Sequence, residues 1–120
     1  MGDENCVRLA YKIWLDNNGK VFGDGPYDLL LRVEQIGSLS KAAAEIGMSY
    51  NKAWRLIRAI EDRLGFPLLK CKVGGASGGG SEVTSQARRL MQQYRAFREE
   101  AENALELLYA KHFNEKEIKG

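Results

Sequence analysis

The sequence predicts a mainly α fold with a small β component (α+β), and three observations carry that prediction. Four stretches repeat apolar residues at helical spacing, two stretches turn back like short hairpins, and the boundaries between them hold serine, threonine, aspartate or glycine residues suited to start or stop an element. With 120 residues, 44% of them hydrophobic and 28% charged, the chain is expected to form one domain over 1–120.

Val7-Arg8-Leu9-Ala10-Tyr11-Lys12-Ile13-Trp14-Leu15 alternates with period two, which predicts a strand with Val7, Leu9, Tyr11, Ile13 and Leu15 on one face. Asp16-Asn17-Asn18-Gly19 tolerates positive φ, so Lys20-Val21-Phe22 is expected to return antiparallel and complete a hairpin over 7–22. Asp24 stands where it can cap a first helix over 25–36. Pro26 falls in its first turn, Leu29, Leu30, Val33 and Ile36 recur at helical spacing, and Gly37 ends it. Two further helices, Ser40 to Ile46 and Ser49 to Leu64, follow around Gly47-Met48 as one unit over 40–64, each opening with a serine able to cap free amides. Beyond Pro67 the helical pattern stops. Leu68 to Val73 and Ser81 to Val83 bracket five glycines in residues 74–80, which predicts a second hairpin over 68–83 with a pliable tip. Thr84 can cap a last, long helix over 85–113, after which a charged tail is expected to fray.

Formal charge totals only +2, yet it is unevenly spread. Residues 1–39 carry 4 basic and 6 acidic groups, residues 40–73 carry 7 and 3, and residues 74–120 carry 7 of each, so an excess of +4 falls on the middle segment alone. Such a local excess is the footprint of a polyanion contact. No apolar run approaches the ~18–20 residues of a membrane helix, and the opening Met1-Gly2-Asp3-Glu4-Asn5 is acidic, so a cytoplasmic location and no membrane partner are expected. Cys6 and Cys71 fall in different elements and form no Cys-x-x-Cys, which predicts two reduced thiols and no metal site. One histidine, His112, and scattered carboxylates assemble neither a nucleophile-base pair nor a paired acid site, so the chain is expected to be no enzyme and to need no cofactor. Nor is the glycine run a phosphate-cradling loop, because Ser81-Glu82-Val83 follows it in place of Gly-Lys-Ser/Thr opening a helix.

The unit over 40–64 meets the requirements of a helix-turn-helix. Ala43 is small where two helices would cross, Gly47 stands in the turn, and Ala42, Ile46, Met48, Ala53, Leu56, Ile57 and Ile60 point inward at helical spacing. If Ala53, Ile57, Ile60 and Leu64 are buried, Tyr50, Asn51, Trp54, Arg55 and Arg58 lie on or beside the opposite face. These side chains suit DNA: arginine forks onto guanine, asparagine pairs with adenine, and an aromatic edge covers a thymine methyl or a sugar. Trp54 fits equally well as a core aromatic widening the buried stripe. Ser40, Lys41, Ser49 and Lys52, near helix starts, suit phosphates. Lys70 and Lys72 alternate on a strand beside Gly74, Gly75 and Ser77, so the second hairpin is expected to act as a wing against the DNA backbone or minor groove. Glu61, Asp62 and Arg63 read as a solvated charged face.

In the last helix Leu90, Tyr94, Phe97, Ala101, Ala104 and Leu108 recur at spacings of four, three, four, three and four, a heptad seam expected to form the interface of a homodimer. Two recognition helices ~34 Å apart would then meet successive major grooves of double-stranded DNA, one per half-site. The alternative is a protein-interaction module that uses the same scaffold and last helix without touching DNA.

Gly37-Ser38-Leu39-Ser40-Lys41-Ala42-Ala43-Ala44-Glu45-Ile46-Gly47-Met48-Ser49-Tyr50 resembles the helix-turn-helix of LysR-type regulators and, more closely, of the ModE family of molybdate-responsive regulators. Ser49-Tyr50-Asn51-Lys52-Ala53-Trp54 is similar to the opening of the ModE recognition helix, Glu61-Asp62-Arg63-Leu64-Gly65 to the LysR helix ending, and Gly74-Gly75 with Gly78-Gly79-Gly80 to the ModE wing. The resemblance spans residues 25–110. It implies a winged helix-turn-helix with an N-terminal β-hairpin and a long C-terminal dimerisation helix, acting as a transcription regulator on a palindromic operator linked to molybdate or oxyanion transport genes. In full-length ModE proteins separate C-terminal domains bind molybdate, and this chain ends where they would begin. A stand-alone form is therefore expected, and oxyanion sensing does not carry over.

Overall fold

The computed structural model describes residues 7–72 and 80–113. Gly74, Gly75 and Ser77 of the wing tip, Cys6 and the charged tail lie outside those residues. A hairpin of β1 (Trp14–Asp16) and β2 (Lys20–Gly23) leads into α1 (Asp24–Ile36), α2 (Leu39–Glu45) and α3 (Tyr50–Leu64). A second antiparallel hairpin, β3 (Leu69–Lys72) and β4 (Gly80–Val83), then leads into α4 (Ser85–His112). The two hairpins are separate sheets, and their helices pack around one core containing Phe22, Leu29, Leu30, Ile57, Ile60 and Leu68, all at most 2% exposed. This is the winged helix-turn-helix architecture.

Helix starts and stops follow local chemistry. Ser49 Oγ accepts from Lys52 N–H at 3.1 Å and Thr84 Oγ1 from Ala87 N–H at 3.1 Å, satisfying amides that the first turn leaves free. Gly37 closes α1 at φ +83°, a left-handed conformation that costs a side-chain-bearing residue about 1–2 kcal/mol. Two expected caps differ. Asp24 does not cap α1; Gly23 occupies the capping position and Asp24 is the first helical residue, its carboxylate turned to α4. For α2 the cap is Ser38, accepting from Lys41 N–H at 3.1 Å, because the turn at Gly37 lets the helix begin at Leu39; Ser40 is an exposed first-turn residue.

The N-terminal strand is much shorter than its alternation predicts. Only Trp14–Asp16 pairs, with Trp14 opposite Gly23, Leu15 opposite Phe22 and Asp16 opposite Lys20. A strand needs a ladder partner, and β2 offers four residues. Residues 7–13 instead run along α4 in the opposite direction: Tyr109 O–H donates to the Val7 carbonyl at 2.6 Å, the Arg98 guanidinium sits 5.3 Å from the Tyr11 ring centroid, and Tyr94 O–H lies 3.4 Å from the Ile13 carbonyl. Six extended steps rise about 20 Å and fifteen helical steps about 22 Å, so the segment and the helix match in length. Val7, Leu9 and Leu15, expected in a core, are exposed.

Glu61 departs from the expected solvated face, and Arg63, though exposed, also makes a long-range contact. Glu61 Oε2 accepts from Leu68 N–H at 2.7 Å and from Leu69 N–H at 3.3 Å, holding the start of the wing against the end of α3. Arg63 Nη1 donates to the Lys20 carbonyl at 3.1 Å and pins the first hairpin to the same helix end. Asp62 alone of the three is a plain exposed charge.

The heptad seam divides in two. Tyr94, expected at a dimer interface, is 3% exposed and belongs to the chain's own core: its ring meets Phe22 edge-on at 5.3 Å and its hydroxyl donates to Asp24 Oδ1 at 2.5 Å. That bond holds the Asp24 carboxyl below its ordinary value of 3.8 despite partial burial, with Arg98 assisting. Burial, then the Asp24 carboxylate, push the Tyr94 phenol up to about 12. Leu90 also packs partly on the core. Farther along α4, Ala101 is half-buried and Ala104 exposed, while Phe97 at 53% and Leu108 at 50%, with Leu107 beside them, are uncovered. The chain is elongated, with a radius of gyration of 18.8 Å against about 14 Å for a compact domain of this length.

Candidate nucleic-acid interface

Helix α3 has two chemically opposite sides. Ala53, Ile57 and Ile60 are buried, spaced four and three residues apart. The small Ala42 and Ala43 of α2, both fully buried, let the two helices approach. The turn between them closes through Met48 N–H onto the Ala43 carbonyl at 2.9 Å, with Gly47 at φ +73°. Burial of one side forces Asn51, Lys52, Arg55 and Arg58 to the other, and all four are exposed.

Trp54 resolves in favour of the outer face. It is 41% exposed, and the Arg58 guanidinium lies 4.8 Å from its ring centroid. Tyr50, one turn earlier, is also exposed. Tyr50, Trp54 and Arg58 thus form a stripe at i, i+4 and i+8, rotated by one residue, about 100°, from the stripe of Asn51 and Arg55.

The expected phosphate-side residues gather around these stripes. Ser49 has its hydroxyl engaged as the α3 cap, and Lys52 and Lys41 project freely from the first turns of α3 and α2. Lys70 and Lys72 lie on exposed positions of β3, with Lys70 Nζ 4.0 Å from Glu82 on the neighbouring strand. Across the hairpin Leu69 faces Val83, and Lys72 faces Gly80. The wing root is fixed independently by Ser81 N–H donating to the Gly37 carbonyl at 3.0 Å and Thr84 N–H to the Leu68 carbonyl at 3.0 Å. Helix α3 and the wing strands therefore stand on one support, with Glu61 joining them directly.

Between them opens a cleft of about 390 Å³ whose walls include Ser40, Tyr50, Trp54, Arg58, Lys70 and Ser81. The exposed thiol of Cys71 lies on the same wall. None of the described residues lining it is acidic. Sequence periodicity placed Trp54 and Arg58 on or beside the outer face, where the structure has them exposed; Glu61 escaped it, because its partners lie seven and eight residues away across a turn that no repeat marks. Among the described residues there is no group of three histidine, cysteine or acidic side chains able to hold a metal, and no helix long and apolar enough to cross a membrane.

Comparison with known proteins agrees with this geometry. Residues 27–88 match the family model of bacterial regulatory helix-turn-helix proteins of the lysR family. The chain is 33% identical over 104 residues to the molybdenum transport protein ModE of Azotobacter vinelandii, covering 86% of this chain and 38% of that protein. It is 34% identical over 95 residues to the molybdenum-pterin-binding protein MopB of Rhodobacter capsulatus, covering 79% and 34%. With the transcriptional regulator ModE of Haemophilus influenzae it shares 36% over 80 residues, covering 67% and 31%. It thus spans about a third of the length of these curated relatives. Among solved structures, a CbnR_DBD-DNA complex superposes with a TM-score of 0.56 at 22% identity, covering 72% of this chain and 94% of that one. The BenM_DBD/benA site 1 DNA complex gives 0.53 at 17%, covering 75% and 96%. At these identities the two structures share the fold. The match over more than half of the chain places it in the bacterial regulatory helix-turn-helix proteins of the lysR family.

Proposed function

We propose that the chain is a dimeric, sequence-specific DNA-binding transcription regulator of the bacterial cytoplasm. The observation that carries this reading is the exposed outer face of α3: Asn51 and Arg55 project together, with no side-chain hydrogen bond among the described residues, from a helix whose other side is buried in the core. Asn51 and Arg55 read base edges in the major groove, while Lys41 and Lys52 meet phosphates. Lys70 and Lys72 carry the wing toward the flanking backbone, with Gly74, Gly75 and Ser77 at its tip. Two subunits joined through the distal part of α4 read the halves of a palindrome. The relatives named for molybdenum transport point to genes of molybdate or oxyanion transport as the targets.

Selection of bound duplexes from a random pool, followed by fluorescence anisotropy across a salt series, tests the reading. Log affinity is expected to fall with log salt at about −0.9 per phosphate neutralised. Arg55→Ala should weaken the selected site alone by about 1–3 kcal/mol, whereas Lys52→Ala should weaken all duplexes alike. A protein that selects no sequence and binds no duplex at low salt would contradict the proposal.

A further inference from the structure

Building on that DNA-binding reading, we propose that Arg58 is a phosphate clamp and not a base reader, gripping the sugar-phosphate strand where it passes between α3 and the wing. In a duplex, a major groove and the minor groove beside it are divided by a single backbone strand. A recognition helix in one and a wing at the other must straddle that strand, so it passes through whatever space lies between them.

The contents of the cleft suit that occupant. Tyr50, Trp54 and Arg58 face it, whereas Asn51 and Arg55 do not line it, which separates the two α3 stripes by surroundings as well as by angle. The polar groups lining it are hydroxyls, the Cys71 thiol, the Trp54 indole and two cations, with Ser40, Ser81, Lys70 and Arg58 on the walls, so an anion meets donors; the carboxylates of Glu61 and Glu82 lie outside the lining, 3.9 Å from Arg58 and 4.0 Å from Lys70.

Arg58 is held before any ligand arrives. Its guanidinium stacks on Trp54 at 4.8 Å, and its Nη1 lies 3.9 Å from Glu61 Oε1, yet the side chain stays 63% exposed. The other oxygen of Glu61 holds the Leu68 and Leu69 amides where the wing begins. Trp54, with a weak pull from Glu61, therefore biases the guanidinium toward the cleft, and a fork biased in this way loses less freedom on gripping a phosphate. Trp54 and Glu61 are positioning residues for Arg58.

The test uses the full chain, its selected duplex and a scrambled duplex of equal length. Arg58→Ala should weaken both by the same factor, on the order of tenfold, and make the salt slope shallower by about 0.9, leaving the selected sequence unchanged. Trp54→Leu keeps the charge but frees it, so both duplexes should weaken by a smaller common factor with the wild-type slope. Because Trp54 is exposed, its thermal unfolding curve should match wild type. Methylphosphonate scanning supplies the decisive arm: neutralising one phosphate per half-site should weaken wild type and leave Arg58→Ala indifferent. The clamp is overturned if Arg58→Ala weakens only the selected site or shifts the selected sequence, or if no phosphate position becomes silent in that variant. Wild-type protein that bound neither duplex would instead bring down the DNA-binding reading, and the clamp with it.

Discussion

Glu61→Ala removes the acceptor on which the wing root hangs, and its cost can be worked from the geometry. Glu61 Oε2 accepts from the Leu68 amide at 2.7 Å and the Leu69 amide at 3.3 Å, with the side chain only 13% exposed. A hydrogen bond to a charged group contributes about 1.5–3 kcal/mol, and the longer of these two lies beyond the best N–H···O range. Leu68 is fully buried, so its orphaned amide would find little water. The ion pair to Arg58, at 3.9 Å and mostly exposed, adds next to nothing to stability. Alanine is therefore expected to cost about 2–4 kcal/mol, or a thermal midpoint roughly 10 °C lower for a domain of this size. Glutamine, which keeps an acceptor but loses the charge, should cost about 1 kcal/mol. Urea unfolding followed by circular dichroism gives both values, with an unchanged m-value showing that the same surface is exposed. Hydrogen exchange at Leu68 and Leu69 should accelerate before exchange in α3 does. An alanine variant within about 0.5 kcal/mol of wild type would refute the argument, as would a glutamine variant as unstable as alanine.

Three further outcomes follow from other contacts. Because the Tyr94 phenol is raised to about 12 from 10.0, the folded chain holds a proton that the unfolded chain releases; stability is intact below pH 10 and falls between pH 10 and 12, by roughly 1.4 kcal/mol per pH unit. Tyr94→Phe should be less stable at pH 7 yet flatter over that alkaline window, and equal slopes in the two proteins would contradict the assignment. Phe97→Glu with Leu108→Glu places charge on the uncovered part of α4 and should turn the proposed dimer into a folded monomer in sedimentation velocity, whereas an unchanged mass would move the interface elsewhere. Gly80→Ala sets a methyl 2.6 Å from the Gly37 carbonyl oxygen, too close for β4 to keep its place, so about 1–3 kcal/mol of stability should be lost in urea unfolding; a neutral effect would mean that the wing root shifts freely.

How much of this was legible in the sequence depends on whether a feature is local. Ser49, Thr84 and Gly37 announce helix ends because capping joins atoms a few residues apart, and the two sides of α3 follow from period alone. The strand at 7–13 misled because alternation records an extended chain, and an extended chain lying on a helix alternates as one in a sheet does. The seam misled at Tyr94 for a related reason: a spacing of three and four marks an apolar helix face, but the hairpin and α1 decide which part of it the chain covers itself. Asp24 has the composition of a cap, and only the position of Tyr94, 70 residues away, explains why its carboxylate turns elsewhere. Glu61 lacked any signal beyond a turn with Pro67, which has no N–H and leaves the next two amides facing the helix end.

The same contacts divide the molecule into a head and a stem. Within the head, Arg32 joins α1 to Glu45 of α2 at 2.8 Å, Arg63 joins α3 to the first hairpin, and Glu61 and Gly37 hold the wing, so the exposed face of α3 and the cleft beside it rest on one set of contacts. The stem is α4. It meets the head through Ala87 and Met91 in the core, through Arg88 paired with Glu34, and through Tyr94 and Arg98 on Asp24. Asp24 is the first residue of α1 and Tyr94 the tenth of α4, so this node ties the start of the helical head to the stem, with the Tyr94 ring packed in the core beside it. In the dimer proposed above, the angle of that joint sets the separation of the two recognition helices. In that dimer the half-site sequence belongs to α3 and the half-site spacing to Asp24, Tyr94 and Arg98, none of which lies on α3 or the wing.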